Sequence, residues 1–280
     1  MKLVRYRSAT GEEPGLILDG AIFALSGSFS SLNPPAPTLD DIEAIAAIPA
    51  KALSKAPKDV VLGPPLRGIG KIIGVGLNYR DHAEETGLPL PKEPTLFLKA
   101  TSALCGPVDD LVMPREARNV DWEVELGVVI GKPGVYIAER EALDHVLGYC
   151  VGIDFSERDF QFNRGGQGFK GKSADTFAPL GPFVATRDEI ADPQKLSMRL
   201  TVNGETRQSG STRDMIFSVA ELVSYISRFM SLQSGDVILT GTPAGVGLGQ
   251  KPPVYLKPGD VVTASIECLG EQTHRVVASP

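Results

Sequence analysis

The pattern of apolar and polar positions predicts a chain that is built mainly of β-strands. Its most informative stretch is 121–131, Asp-Trp-Glu-Val-Glu-Leu-Gly-Val-Val-Ile-Gly, which alternates strictly and then becomes continuously apolar. This texture is typical of a strand that enters a buried sheet. Because successive side chains of a strand point to opposite faces, Glu123 and Glu125 are expected on one face, with the apolar side chains between and beside them on the other.

Two carboxylates on one strand face indicate a cation site. Their Cα atoms would lie about 6.5 Å apart, and beside an apolar run they would repel each other and lose hydration. A divalent cation removes both problems, and carboxylate oxygens suit hard ions such as Mg²⁺, Mn²⁺ or Ca²⁺. The alternative is an edge strand whose acidic face is solvated.

The first 70 residues have the texture of a separate small unit. Short strands are predicted at Lys2–Tyr6, Gly15–Leu18 and Ala21–Leu25, with Asp19-Gly20 as a hairpin turn. A short helix over 41–48, capped by Thr38 or Asp40, follows. The run Gly63-Pro64-Pro65 is a linker signal, so we predict a small β-rich domain at 1–70 and the main domain at 71–280.

The main domain is predicted to be α+β and mainly β. A strand at 71–76 precedes a helix at 79–86 that Asn78 would cap and Gly87 would close. The remaining predicted elements are strands at 95–100, 147–153, 236–240, 261–269 and 273–277, a hairpin at 196–208 through Asn203-Gly204, and helices at 138–145 and 218–230. Apolar spacing in the last helix places Phe229 in the core with Val219, Leu222, Val223 and Ile226.

Three further features carry candidate chemistry. His82 and Glu85 lie three apart and share a helix face, where a carboxylate beside an imidazole favours a general base; the alternative is a surface ion pair. Asp154 follows a predicted strand and could complete a three-oxygen site with the two glutamates. His145 lies among apolar residues and is interpreted as a packed histidine.

Two glycine-rich segments are candidate ligand-binding regions. Residues 155–171 mix aromatics, amides and glycines, a texture that predicts a short helix and a mobile lid. Lys172 follows the lid and could face an anionic ligand, or extend from the surface. Residues 241–247, Gly-Thr-Pro-Ala-Gly-Val-Gly, could hold a ligand carboxylate with free amides and the Thr242 hydroxyl, but they lack the ending of a nucleotide-binding P-loop.

Composition narrows the class of protein. The chain has 280 residues and a net charge of −6, which argues against nucleic acid or an anionic membrane as the main partner. It contains no apolar run of the length of a membrane span and begins with no signal-peptide pattern. Three cysteines that are far apart favour reduced thiols in the cytosol. We therefore expect a cytoplasmic protein with a small-molecule partner.

Residues 71–280 resemble the fumarylacetoacetate hydrolase family. The resemblance is carried by five motifs in order: Gly76-Leu77-Asn78-Tyr79-Arg80-Asp81-His82, Leu96-Phe97-Leu98-Lys99, Trp122-Glu123-Val124-Glu125-Leu126-Gly127, Gly171-Lys172-Ser173-Ala174-Asp175-Thr176, and the 241–247 loop. Asp154 and Arg158 occupy the family's aspartate-plus-arginine position. The first 70 residues look like the N-terminal region of bacterial members.

The resemblance implies a mixed β-roll that forms a homodimer and binds Mg²⁺ or Mn²⁺ through Glu123, Glu125 and Asp154. It implies that His82 and Glu85 activate a water and that Lys172 shares in catalysis. The residues that it places in contact with a keto-acid substrate are Tyr79, Arg80, Arg158, Gln161, Lys172 and Thr242.

The chemistry implied is hydrolysis of an acylpyruvate at its C3–C4 bond. Cleavage leaves a pyruvate enolate, whose charge requires a nearby cation. Within the family, the 160–167 run most resembles hydrolases of 2,4-diketo-3-deoxy sugar acids of the L-fuconate or L-rhamnonate type, in which Gln161, Asn163, Arg164 and Gln167 would bind a hydroxylated tail. The alternatives are oxaloacetate decarboxylation, hydrolysis of a simpler acylpyruvate such as fumarylpyruvate, and a non-catalytic metal-binding scaffold.

Overall fold

The β-strands form three sheets in the computed structural model, which describes residues 1–9, 11–25 and 37–280. In chain order the strands are β1 (Lys2–Ser8), β2 (Gly11–Leu18), β3 (Ala21–Ala24), β4 (Ser54–Lys55), β5 (Ile72–Gly76), β6 (Thr95–Lys99), β7 (Leu104–Cys105), β8 (Leu111–Met113), β9 (Val120–Asp121), β10 (Val124–Ile130), β11 (Val146–Ile153), β12 (Ser156–Glu157), β13 (Ala178–Thr186), β14 (Ser197–Val202), β15 (Glu205–Ser211), β16 (Val237–Leu239), β17 (Val261–Ile266) and β18 (Gly270–Ala278). The mainly β, α+β prediction is confirmed.

The largest sheet is mixed, as a β-roll requires. Among the described residues it has eleven strands in the order β4-β3-β2-β1-β13-β11-β10-β16-β5-β6, with β7 beside β13. Most neighbours are antiparallel, but β16–β5 and β13–β7 are parallel. A second sheet has the order β15-β14-β17-β18-β8, and β12 pairs with β9. The predicted hairpin joins β14 to β15, with Asn203 and Gly204 both at positive φ.

The N-terminal strands extend the main sheet. β1 pairs with β13 through Lys2↔Ala185 and Leu3↔Val184, and Leu3 belongs to the same buried apolar cluster as the central strands. The Gly63 amide donates to the Arg5 carbonyl at 2.9 Å, so the predicted linker starts against β1. The boundary at residue 70 stays a prediction.

Strand β10 lies at the centre of the main sheet. It pairs with β11 on one side and with β16 on the other, and all seven of its residues are buried. The alternative of an edge strand with a solvated acidic face is therefore wrong. A carboxylate on this strand cannot reach bulk water and needs partners inside the protein.

The described residues contain five α-helices: α1 (Leu39–Ala46), α2 (Arg80–Thr86), α3 (Arg158–Phe162), α4 (Phe169–Lys172) and α5 (Val219–Ile226). Capping boxes at Thr38–Asp41 and Ser218–Glu221 begin α1 and α5. None of the helices in residues 1–9, 11–25 and 37–280 is both long and apolar enough to cross a membrane.

Two helix predictions differ from the structure. Residues Glu139–His145 form a 3-10 helix rather than an α-helix, and Nδ1 of the half-buried His145 donates to the Lys132 carbonyl at 2.9 Å. Helix α5 ends at Ile226, so the core position predicted for Phe229 is wrong. Its side chain is 63% exposed and packs against the Tyr225 ring.

Asn78 does not cap α2. Tyr79 occupies the N-cap position, but its side chain makes no capping hydrogen bond. Gly87 closes the helix in the left-handed conformation, as predicted. The buried Asn78 amide instead donates to the carbonyls of Phe217 and Thr240 at 3.1 and 2.8 Å, and its Oδ1 accepts from the Phe217 amide at 2.8 Å. It therefore ties the start of α2 to the chain segments after β16 and before α5.

We expect Asn78→Ala to lower the free energy of unfolding by about 1–3 kcal/mol, since it leaves buried backbone groups without partners. Urea unfolding followed by circular dichroism measures the change. Asn163→Ala is the matched control because that asparagine is exposed at the end of α3, and its change should stay within about 0.5 kcal/mol. Equal losses in the two variants would contradict the role given to Asn78.

Candidate active site

The three predicted carboxylates meet where β10 begins and β11 ends. Glu123 precedes β10, Glu125 lies in it, and Asp154 follows β11. The strands are antiparallel with Val124 opposite Ile153, and the Asp154 amide donates to the Glu123 carbonyl at 2.9 Å. One oxygen of each carboxylate lies within 4.8 Å of the others, and all three residues are buried. Their predicted convergence is confirmed.

Three buried cations pair with this carboxylate cluster. Lys172 Nζ lies 2.9 Å from Glu123 Oε2 and 2.6 Å from Asp154 Oδ2. Arg158 Nη2 lies 2.6 Å from Glu123 Oε1, and Lys99 donates to Asp154 Oδ1. Sequence reasoning gave Lys99 no role, although a single lysine in an otherwise apolar strand was a usable signal.

The buried cations affect the pKa values of Glu123 and Glu125 differently. Burial would raise the pKa of Glu123, but Lys172 and Arg158 outweigh it and hold that pKa below its usual range. Burial, together with Asp154 and Glu123, holds the pKa of Glu125 well above its usual range. No lysine or arginine among the described residues forms an ion pair with Glu125; its Oε2 accepts from the Gly241 amide at 2.8 Å.

This arrangement fits a divalent cation by the chemistry of its donors. All three carboxylates offer oxygen ligands, which hard ions such as Mg²⁺ and Mn²⁺ prefer. Glu125 is the carboxylate whose buried charge lacks a cationic partner in the described part of the chain. A cation held by Glu123, Glu125 and Asp154 would offset that charge.

A cavity of about 320 Å³ opens above the cluster. Its apolar wall includes Leu77, Leu88, Phe97, Phe162, Val246 and Leu248. The predicted site residues that line it are His82, Glu123, Arg158, Gln161, Lys172 and Thr242. The structure therefore brings these six, which come from five separate segments of the chain, to one cavity.

The His82–Glu85 pair is a largely buried dyad. His82 Nδ1 lies 3.0 Å from Glu85 Oε2, and the two side chains are 12% and 17% exposed, so the alternative of a surface ion pair is wrong. The Gly245 amide donates to Glu85 Oε1 at 2.9 Å. Both oxygens of the glutamate are thus fixed, one by the histidine and one by the 241–247 loop.

Tyr79 and Arg80 do not line the cavity. Tyr79 is fully buried, and its hydroxyl lies 3.1 Å from the Met198 sulfur. Arg80 is exposed at the start of α2. Both lie away from the cavity because the face of α2 that reaches it carries His82 and Thr86, and their contact with a substrate stays a prediction.

Four amides of the 241–247 loop bind the protein's own carboxylates, and the prediction that the loop holds a ligand carboxylate stays a prediction. Its amides and the next one reach four acidic side chains: Gly241 to Glu125, Ala244 to Asp81, Gly245 to Glu85, and Gly247 and Leu248 to Asp121. The Thr242 hydroxyl donates to the Val124 carbonyl and accepts from Gln208.

The glycines of this loop are required by close contacts. A Cβ at Gly245, where φ is +107°, would lie 2.0 Å from the Arg207 carbonyl oxygen. At Gly247 it would lie 2.0 Å from the Val254 carbonyl oxygen and 2.7 Å from Asp121 Oδ1. Side chains at these positions would push the loop away from the carboxylates that it holds.

The 155–171 segment contains the predicted short helix, α3. A second short helix, α4, begins near the end of the segment and ends at Lys172. Gln161 accepts from Arg158 Nη1 at 3.0 Å and faces the cavity. Asn163 and Arg164 are exposed and bond to Asp159, and Gln167 is also exposed. These last three side chains do not line the cavity, and movement of the segment stays a prediction.

The fold and the cavity together define a mainly β protein with a buried acidic cluster suited to a divalent cation. Residues 71–277 match the family described as Fumarylacetoacetate (FAA) hydrolase C-terminal. The chain belongs to this family, as the motifs indicated.

Relatives and solved structures agree with this assignment. A presumed hydrolase of Burkholderia multivorans is 50% identical over 97% of each chain. The structure of maleylpyruvate hydrolase from Sphingobium sp. SYK-6, in complex with manganese(II) and pyruvate, is 32% identical with a TM-score of 0.82. That of 5-carboxymethyl-2-hydroxymuconate delta-isomerase from Mycobacterium smegmatis is 34% identical with a TM-score of 0.80. Both structural matches cover all of each chain.

We expect Glu125→Gln to stabilise the metal-free protein at pH 7. Because the pKa of Glu125 is raised in the folded state, its contribution to stability is full below the unfolded pKa of about 4.3 and is lost as pH rises. A neutral glutamine removes that loss and still accepts from Gly241. A rise in Tm of about 2–4 °C corresponds to about 1 kcal/mol.

Thermal melts in EDTA and in Mn²⁺ measure both consequences. In EDTA the advantage of Glu125→Gln should shrink as pH falls from 7 towards the unfolded pKa of about 4.3, since the folded parent then keeps its proton and the unfolded parent increasingly gains one. Added Mn²⁺ should raise the Tm of the parent more than that of the variant. A variant that is less stable than the parent in EDTA at pH 7 would contradict the account.

Proposed function

We propose that this protein is a divalent-metal-dependent hydrolase that cleaves the C3–C4 bond of an acylpyruvate and releases pyruvate and a carboxylic acid. The observation that carries the proposal is that a largely buried His–Glu dyad and a buried carboxylate cluster meet at one cavity, which His82 and Glu123 line. The pyruvate and manganese bound by the similar maleylpyruvate hydrolase support it.

The cluster would hold Mg²⁺ or Mn²⁺ through Glu123, Glu125 and Asp154. When bound, the cation would supply a Lewis acid for the negative charge that develops on a keto oxygen. Lys172 and Arg158 contact Glu123 from two sides. Their positive charges lie in the wall of the cavity, where they favour an anionic substrate.

His82 is the proposed general base. Glu85 Oε2 accepts a hydrogen bond from the Nδ1–H group, which leaves Nε2 as the nitrogen with a free lone pair. Nε2 can take a proton from water that attacks the carbonyl carbon at C4. Because Glu85 is itself held by the Gly245 amide, the ring orientation is set before substrate arrives.

A 2,4-diketo-3-deoxy sugar acid is the narrower substrate that we propose. Gln161 and Arg158 are the groups on the cavity wall from the 155–171 segment that can bond a hydroxylated acyl tail. A plain acyl group would leave these polar side chains without hydrogen-bond partners. The site would therefore discriminate against such a substrate. Since Asn163, Arg164 and Gln167 lie outside the wall, this preference depends on fewer groups than the sequence indicated.

We expect His82→Ala and Glu85→Ala to lower kcat/KM for acylpyruvate hydrolysis by about 10²–10⁴-fold, the usual contribution of a general base. Oxaloacetate decarboxylation requires no attacking water and should be retained in large part. Glu84→Ala, an exposed position of the same helix, is the matched control and should be unchanged. Equal loss of both reactions would assign the dyad to binding or folding.

A substrate panel tests the reaction and its specificity. With Mg²⁺ or Mn²⁺, a six-carbon 2,4-diketo-3-deoxyaldonate should release pyruvate with a higher kcat/KM than acetylpyruvate, fumarylpyruvate or oxaloacetate, and EDTA should abolish release from all four. A preference for fumarylpyruvate would leave the reaction and remove the sugar-acid substrate. If oxaloacetate is preferred, the protein is a decarboxylase; if it binds Mn²⁺ and turns over nothing in the panel, the scaffold alternative holds.

A further inference from the structure

Asp121 is a fully buried acidic side chain beside the cavity for which sequence reasoning gave no role. Its Oδ1 accepts from the amides of Trp122 at 2.8 Å and Gly247 at 2.6 Å. Its Oδ2 accepts from the Leu248 amide at 3.0 Å and from Arg158 Nε and Nη2 at 2.9 and 2.8 Å. Five N–H donors on one carboxylate fix its position.

Arg158 is shared between two carboxylates. Its Nη2 lies 2.8 Å from Asp121 Oδ2 and 2.6 Å from Glu123 Oε1, while Nη1 donates to Gln161. The guanidinium is a planar fork that can bind one carboxylate with two parallel bonds. In the structure the two-bond contact, through Nε and Nη2, is made with a single oxygen of Asp121, Oδ2, and only one bond reaches Glu123.

Both oxygens of Glu123 already accept hydrogen bonds from cationic side chains. Oε1 accepts from Arg158 and Oε2 from Lys172. A metal ion at this carboxylate must compete with both. The stronger the hold of Arg158 on Glu123, the weaker Glu123 becomes as a metal ligand, because the same lone pairs and the same negative charge serve both partners.

We propose that Asp121 is a positioning residue that binds the guanidinium of Arg158 and so keeps Glu123 available to a divalent cation. The proposal rests on the proposed metal site. Without the charge of Asp121, Glu123 would be the remaining carboxylate partner of Arg158 in the described part of the chain, and the two-bond contact would pass to it. Arg158 would then compete with the metal instead of only balancing its ligand.

Mn²⁺ binding by calorimetry, without substrate, tests this proposal in four proteins: the parent, Asp121→Asn, Arg158→Met and the double variant. Asp121→Asn should weaken Mn²⁺ binding by about 10–100-fold, the range usual for partners of metal ligands. Arg158→Met should bind as tightly as the parent or more tightly. The double variant should recover to within about threefold of the parent, because the competing guanidinium is gone.

A purely structural role for Asp121 predicts different results. The double variant would then bind no better than Asp121→Asn, and this outcome overturns the proposal, as does parental affinity in Asp121→Asn. Asp236→Asn is the matched control, since Asp236 is also fully buried and paired, with Lys71 at 2.6 Å, but lines no part of the cavity. It should change the Tm without changing Mn²⁺ affinity.

Three outcomes separate failure of folding, failure of the metal site and failure of the role given to Asp121. If Asp121→Asn does not melt cooperatively, Arg158→Met alone decides, and a tenfold loss of affinity in that variant overturns the proposal. If the parent itself binds no Mn²⁺, the proposed metal site is wrong and the role of Asp121 is overturned with it. Normal Mn²⁺ binding by the parent with no effect in any variant overturns the role of Asp121 alone.

Discussion

The site depends on one constraint: four carboxylates, Asp121, Glu123, Glu125 and Asp154, are buried close together where β10 begins and β11 ends. Buried charges without partners are strongly destabilising. Cationic side chains from distant segments of the chain therefore pair with these carboxylates. Lys99 comes from β6, Arg158 from α3 and Lys172 from α4. The sheet, the two short helices and the 241–248 backbone therefore converge on one point because each supplies positive charge or N–H donors there. Glu125 is the member that this arrangement leaves without a cation, and this imbalance marks the place where a metal ion fits.

The 241–248 backbone joins the two halves of the proposed chemistry. Its amides hold Glu125 of the carboxylate cluster, Glu85 of the dyad and Asp121 beneath Arg158. Backbone amides are well suited to this task because they carry no rotatable side chain, so the acceptors that they fix keep a defined geometry. One short segment consequently holds Glu85, the partner of the proposed general base, and Glu125, a proposed metal ligand, and the glycines in it allow the close approach.

The fold was largely predictable from the periodicity of apolar residues and from the turn and capping residues between elements. The site was only partly predictable. Alternation placed Glu123 and Glu125 on one face, and the end of a strand placed Asp154, because these depend on local geometry alone. The burial of the His82–Glu85 dyad could not be predicted, since Glu85 is held by an amide 160 residues away. The same holds for Asn78, which resembles a helix cap locally but bonds to distant carbonyls, and for the loop amides, whose acceptors come from other parts of the chain. Phe229 has the right spacing for the core, but the helix ends before it.

The distribution of fixed charge suggests how the proposed site would divide its recognition between the two ends of a substrate. At the base of the cavity, every cationic side chain already contacts a carboxylate, so the charges are preorganised and need little rearrangement when an anion or a metal ion enters. The rest of the wall is mostly apolar and includes Leu88, Phe97 and Phe162, beside the polar side chain of Gln161. An apolar wall distinguishes poorly between acyl groups of similar size. The base of the cavity would therefore select the shared pyruvyl end, and selection among acyl tails would depend on Gln161 and Arg158, which the Asp121 network holds in place.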